Sequence, residues 1–121
     1  MGAAFEVQHE LGYGFLERVY QRALQVELIR RGVSAESERR IQVRYKGAVV
    51  GDCDADLVVY GCVVVEIKLD PQYDKRDEAQ LRNQLKTTGL KVGVLINFGR
   101  SKVEYKRLVF PIRVSSVSVC G

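Results

Sequence analysis

The chain has no tryptophan, one methionine, one histidine, two prolines and three cysteines in 121 residues. Each scarcity removes a class of reading. The lone histidine, His9, has no serine or cysteine partner at a recognised spacing, which argues against a nucleophile–imidazole relay. Cys53, Cys62 and Cys120 form no CxxC pair, so neither a zinc site nor a disulfide framework is expected. Idle thiols in a reducing cytoplasm are the expectation instead. No apolar run approaches the roughly 18–20 residues of a membrane helix. Glu6, His9 and Glu10 interrupt the start, unlike the apolar stretch of a signal peptide. The reading is a soluble cytoplasmic protein with no membrane partner. No internal repeat or low-complexity segment is visible, and the length suits a single domain over residues 1–121. The formal charge of +4 and pI of ≈ 9.1 suit a nucleic-acid partner without specifying one.

What is present is a set of clear periodicities. Residues 2–11 read as a short helix ended by Gly12. Residues 15–31 read as an amphipathic helix, with Phe15, Val19, Ala23, Val26 and Ile29 at three- and four-residue steps. Residues 38–46 alternate as a half-buried strand, and 49–60 and 63–69 read as two more strands. Residues 74–88 form a polar helix with a thin stripe of Ala79, Leu81 and Leu85, closed by Gly89. Residues 90–98 are an almost continuous apolar run, as in a strand buried on both faces. Residues 103–110 add a further strand, and Val114, Val117 and Val119 suit a last edge strand or a tail. The order α-α-β-β-β-α-β-β predicts an α/β (α+β-like) fold, a mixed central sheet flanked by helices.

The centre of this order is the stretch from Asp56 to Lys68. Two valine-rich strands flank a turn at Gly61, and Glu66 and Lys68 share one strand face while Val65, Ile67 and Leu69 take the other. A three-residue loop at 60–62 would set Asp56 opposite Glu66, about 5 Å apart at Cβ. A two-residue loop would send the two carboxylates to opposite faces. A paired carboxylate with an ammonium beside it can hold a divalent cation next to a phosphodiester. The run Asp52-Cys53-Asp54-Ala55-Asp56 is no EF-hand, since Leu57 and Val63 stand where glycine and glutamate are needed.

The element order, with Asp56 followed by Glu66-Ile67-Lys68, resembles the PD-(D/E)xK nuclease superfamily and its restriction-endonuclease-like core. Gly14-Phe15-Leu16-Glu17-Arg18-Val19-Tyr20 is similar to the GxxExxY pattern that names a bacterial family within it. Ala79-Gln80-Leu81-Arg82-Asn83, Leu85-Lys86-Thr87-Thr88-Gly89, Gly93 to Gly99 and Lys106-Arg107 also match that family in order. Three positions depart from it: Gln8 where histidine is frequent, Tyr13 where proline is usual, and Gln84 where tyrosine is expected. The resemblance implies a Mg²⁺- or Mn²⁺-dependent nuclease hydrolysing DNA or RNA. Asp56, Glu66, the Ile67 carbonyl and Glu17 are the implied metal ligands, Lys68 assists the attacking water, and Gln80 stands near the site. Three groups of basic residues could follow a phosphate backbone. They are Arg39, Arg40, Arg44 and Lys46; Lys75, Arg76, Arg82 and Lys86; and Arg100, Lys102, Lys106, Arg107 and Arg113. Two other readings stay open: a non-catalytic nucleic-acid-binding module, and an oligomeric accessory protein whose last edge strand pairs with a second copy in a homodimer.

Overall fold

The computed structural model describes residues 2–12 and 14–109; the expected last strand around Val114–Val119 and Arg113 lie outside them. Helices α1 (Gly2–Leu11) and α2 (Glu17–Arg30) are followed by strands β1 (Ala35–Tyr45), β2 (Ala48–Val59) and β3 (Val63–Lys68). Helix α3 (Lys75–Thr88) leads to β4 (Val92–Asn97) and β5 (Glu104–Val109). The strands form one sheet in the order β1-β2-β3-β4-β5. Every neighbouring pair is antiparallel except β3 and β4, which run parallel. A parallel neighbour needs a crossover, and α3 supplies it. None of the described helices is long and apolar enough to cross a membrane.

The helix ends follow from local chemistry. The Asp74 carboxylate caps α3 by accepting the Arg76 N–H at 2.9 Å. At the other end Gly89 adopts φ 79°, and its N–H returns to the Leu85 carbonyl at 3.1 Å.

Two apolar layers sandwich the sheet. On one face α1 and α2 pack Ala4, Val7, Tyr20 and Leu24 against Leu57, Val65, Ile67, Ile96 and Phe98. On the other, Leu81 and Leu85 of α3 cover Val58, Val64 and Leu95. Successive residues of β4 thus belong to opposite layers, which is why its sequence is apolar from Val92 to Ile96. Gly93 lets α3 approach, since a Cβ there would stand 3.0 Å from the Leu81 side chain.

The buried face of α2 differs from the expected one. Val19, Val26 and Ile29 are exposed, as is Phe15 before the helix. Tyr20 and Leu24, supported by Leu28, face the sheet instead. Both rows have helical spacing, and the choice falls to the Tyr20 ring, which stacks on Phe98 with centroids 4.7 Å apart. In α3, Ala79 is likewise exposed while Leu81 and Leu85 are buried. Among the cysteines, Cys53 is a free thiol. Cys120 lies outside the described residues.

Strands β1 and β2 are about twice as long as β3. They pair with each other from Ala35↔Val59 to Tyr45↔Ala48, while β2 meets β3 only over Leu57–Val59. The remainder of the hairpin forms a two-stranded arm beyond the sheet.

Candidate active site

The turn after β2 decides the geometry. Tyr60 and Gly61 take left-handed φ values of 54° and 72°, and the Cys62 N–H closes onto the Val59 carbonyl at 3.1 Å. Residues 60–62 are therefore a three-residue loop, with Val59↔Val63, Val58↔Val64 and Leu57↔Val65 in register. One step on, Asp56 falls opposite Glu66, and there the ladder ends. Asp56 Oδ2 accepts the Ile67 N–H at 2.8 Å in place of a strand carbonyl. On the β1 side the pairing skips Glu38, whose φ is 53°. Asp56 thus lies where both of its ladders open.

Glu66 and Lys68 project from β3 on the side away from Val65 and Ile67. They line a cleft of ≈ 320 Å³ with Cys53 of the arm and with Asp77, Gln80 and Gln84 of α3. Burial, reinforced by the Asp56 charge, pushes the Glu66 carboxyl up to about 8; Lys68 and a hydrogen bond with Gln84 partly offset this. Burial also raises Asp56, opposed by the Ile67 N–H and by Lys68. Two carboxyls this close cannot both ionise cheaply without a cation between them.

Glu17 enters from the helix on the opposite face. Its carboxyl is raised by burial first and then by the charge of Asp56. Tyr20, one helical turn later, donates its hydroxyl to the Gly12 carbonyl at 2.8 Å and so ties down the loop that leads into α2. The two named side chains of the GxxExxY pattern therefore divide their work: Tyr20 anchors the helix, and Glu17 lies within electrostatic reach of Asp56.

Lys68 has a partner that sequence reasoning missed. Its Nζ lies 4.0 Å from Asp77 Oδ1. Burial, together with a hydrogen bond and charge from Asp70, lifts Asp77 to about 6, and Lys68 opposes the rise. Asn97 was missed as well. Its buried amide accepts the N–H groups of Asp70 at 3.0 Å and Gly99 at 2.9 Å, and donates to the Asp70 carbonyl at 3.0 Å and to Glu104 Oε1 at 3.3 Å. The two loops beyond β3 and β4 are clamped together this way. A Cβ on Gly99 would stand 2.5 Å from the Asp70 carbonyl oxygen, so only glycine fits the approach. A polar residue close to the end of the apolar run 90–98 was the available signal for Asn97. Asp77, in the first turn after the Asp74 cap, gave no comparable hint.

The donor set fits a hard divalent cation, by one observation in particular. Glu66 Oε1 is buried and has no hydrogen-bond partner, beside a second carboxyl that is itself raised. Among the described residues no group of three or more His, Cys, Asp or Glu side chains surrounds a single metal position. Glu17 thus lies within electrostatic reach of the pair without completing such a group. Mg²⁺ is commonly held by one or two carboxylates with water in the remaining positions.

A model of the PD-(D/E)XK nuclease superfamily matches residues 1–108. The chain belongs to this superfamily. Its nucleases generally use divalent metals. No curated protein matches the chain in sequence. Among solved structures the chain is similar to SSO0001, with a TM-score of 0.55 and 17% identity over 91% of this chain and 62% of that one. It is also similar to the alkaline exonuclease LHK-Exo from Laribacter hongkongensis, with a TM-score of 0.50 and 13% identity over 91% of this chain and 68% of that chain. The same exonuclease in complex with dAMP gives 0.51 and 12%, over 89% and 76%. At these identities the likeness establishes the fold: a mixed sheet flanked by helices, consistent with a restriction-endonuclease-like core. The chain spans less than two thirds of SSO0001.

Within the superfamily's frame, Asp56, Glu66 and Lys68 meet at the end of β3, Gln80 stands exposed on the cleft wall, and Glu17 at the start of α2 lies within electrostatic reach of Asp56. The departure at Gln84 falls on the cleft too. Its side chain reaches Glu66 and contacts Cys53 Sγ at 3.4 Å.

Proposed function

We propose that this protein is a divalent-metal-dependent nuclease of the GxxExxY group, hydrolysing phosphodiester bonds in DNA or RNA. The observation that carries the reading is the buried, unpartnered Glu66 Oε1 beside the Asp56 carboxyl, one strand face shared with Lys68. Asp56, Glu66 and the Ile67 carbonyl would hold Mg²⁺ or Mn²⁺, with Glu17 adding negative charge from α2. Such a cation lowers the pKa of bound water and draws charge from the scissile phosphate. The chain's own groups do the rest. Glu66 gives up its proton, and Asp56 stays oriented by the Ile67 N–H. The Lys68 ammonium, held by Asp77, stands where it can align the attacking water and balance charge on the phosphorane. Gln80 and Gln84 supply amides that can bond the sugar-phosphate as water oxygen adds to phosphorus and the P–O bond opposite breaks.

The test is cleavage of plasmid DNA and of labelled RNA with Mn²⁺. Wild type should cut, and Glu66→Ala should not while its circular dichroism is unchanged. Cleavage that survives the substitution overturns this assignment. Metal-independent binding without any cutting would leave the non-catalytic reading.

A further inference from the structure

The carboxylate cleft is a poor attractor for a polyanion. Glu66 and Asp77 line it, with Asp54 on the arm, against the single cation Lys68. A nucleic acid drawn to it needs positive charge from elsewhere on the same face. A second cleft, of ≈ 290 Å³, lies between β1 and the end of α3, lined by Arg39, Arg40, Arg44, Gly61, Thr88 and Leu90 among others. The two clefts adjoin. Val43 lines the first, and Ile41, two residues back on the same face of β1, lines the second. On α3, Gln84 lines the first and Thr88 the second, and the Thr88 hydroxyl bonds the Gln84 carbonyl at 2.6 Å.

We infer that this arginine-lined cleft is a track for one nucleic-acid strand, delivering it to the carboxylate cleft alongside. The ligand's identity rests on the nuclease reading above; the track itself stands on charge and shape. Among the described residues, Arg39 and Arg40 pair with the exposed carboxylates of Glu36 at 3.6 Å and Asp54 at 3.4 Å. Exposed pairs of this kind are worth about 0–1 kcal/mol, so a phosphate displaces them readily. Arg44 bonds neutral acceptors, Gln42 Oε1 at 2.8 Å and the Gly47 carbonyl at 3.4 Å. Arg40 and Arg44, four apart on β1, stand about 13 Å apart along the strand, roughly two phosphate steps. Ile41, Val58 and Leu90 give the same cleft an apolar floor on which a sugar or base face can rest. A basic groove with an apolar floor suits the faces of unstacked bases in a single strand, which a duplex keeps covered. Of the other basic residues, Lys75, Arg76, Arg82 and Lys86 lie on α3, Lys106 and Arg107 lie on the opposite edge strand, and Lys102 lines a separate cleft with Phe5 and His9.

The experiment is fluorescence anisotropy of a labelled oligothymidylate with the full chain in EDTA, titrated with salt. Arg39→Gln, Arg40→Gln and Arg44→Gln combined should weaken binding at low salt at least tenfold. The slope of log K against log salt should fall by about 2, at about 0.7 per single-strand phosphate contact. The matched change Lys75→Gln, Arg82→Gln and Lys86→Gln should do much less. Unchanged binding in the first variant, or equal losses in both, overturns the track. A duplex of equal length bound as tightly overturns the single-strand assignment. Arginine-dependent binding in a protein that never cuts with metal would support the track and remove the nuclease reading, so the two fail separately.

Discussion

Asp56 replaces a strand carbonyl: its Oδ2 accepts the Ile67 N–H at 2.8 Å at the step where β2 and β3 separate. One side chain thereby ends a ladder, satisfies the orphaned donor and turns a carboxylate toward Glu66. Structure and proposed chemistry share the residue, and they can be separated. Asp56→Asn keeps an oxygen acceptor for Ile67, so its stability in urea should stay within about 1 kcal/mol of wild type while Mn²⁺-dependent cleavage is lost. Asp56→Ala leaves the N–H unpaired and should cost about 1–3 kcal/mol as well. Equal stability of the two variants would refute the dual role.

Glu66 makes the metal-free protein sensitive to pH. Its carboxyl releases a proton near 4.5 when unfolded and near about 8 when folded. Between those values the folded state holds more protons, so stability present below pH 4.5 drains away as pH rises toward 8. Asp77, lifted to about 6, adds in the same direction over the lower part of that window. Thermal unfolding in EDTA should show Tm falling from pH 5 to pH 8.5, and Glu66→Gln should flatten most of the slope. A steeper slope in the variant would reverse the assignment.

Metal and proton should compete for the same oxygens. Mn²⁺ should raise Tm clearly at pH 8 and hardly at pH 5, because Glu66 must deprotonate to bind. Calorimetry in two buffers of different ionisation heat should detect close to one proton released per metal near pH 7. No proton release would remove Glu66 from the ligand set.

Asn97 holds the loops rather than the chemistry. Asn97→Leu strands the Asp70 N–H and carbonyl and the Gly99 N–H without their partner, and should cost about 2–4 kcal/mol in urea unfolding. Gly99→Ala should be at least as damaging, since its Cβ meets the Asp70 backbone. A neutral Asn97→Leu would mean that water replaces the amide.

Asp77 positions Lys68 through the 4.0 Å contact. Asp77→Asn should lower the single-turnover cleavage rate about tenfold, on the order of 1.4 kcal/mol, with oligonucleotide affinity unchanged. Asp77→Glu should recover part of the rate. An equal loss in both variants, with weaker binding, would point to a structural role for α3 alone.

Much of this was legible in the residues. Alternation in 63–68 sorted Val65 and Ile67 from Glu66 and Lys68, because strand side chains must alternate. Gly89 ended α3, and the almost continuous apolar run of 90–98 announced a strand covered on both faces. The α2 face was misread because two rows of helical spacing coexist there. Only the stack of Tyr20 on Phe98, some eighty residues away in the chain, selects between them.

The order and kind of the elements, then, were settled by local periodicity and by the turn and cap residues, which act within a few positions of themselves. Whether Asp56 meets Glu66 was not, because one residue more or less in the 60–62 loop inverts every side chain of the strand that follows. The pairing of Lys68 with Asp77, the Asn97 clamp and the neighbouring clefts also needed the tertiary structure. Each joins segments whose approach depends on how helices pack across the sheet, and no short-range pattern encodes that.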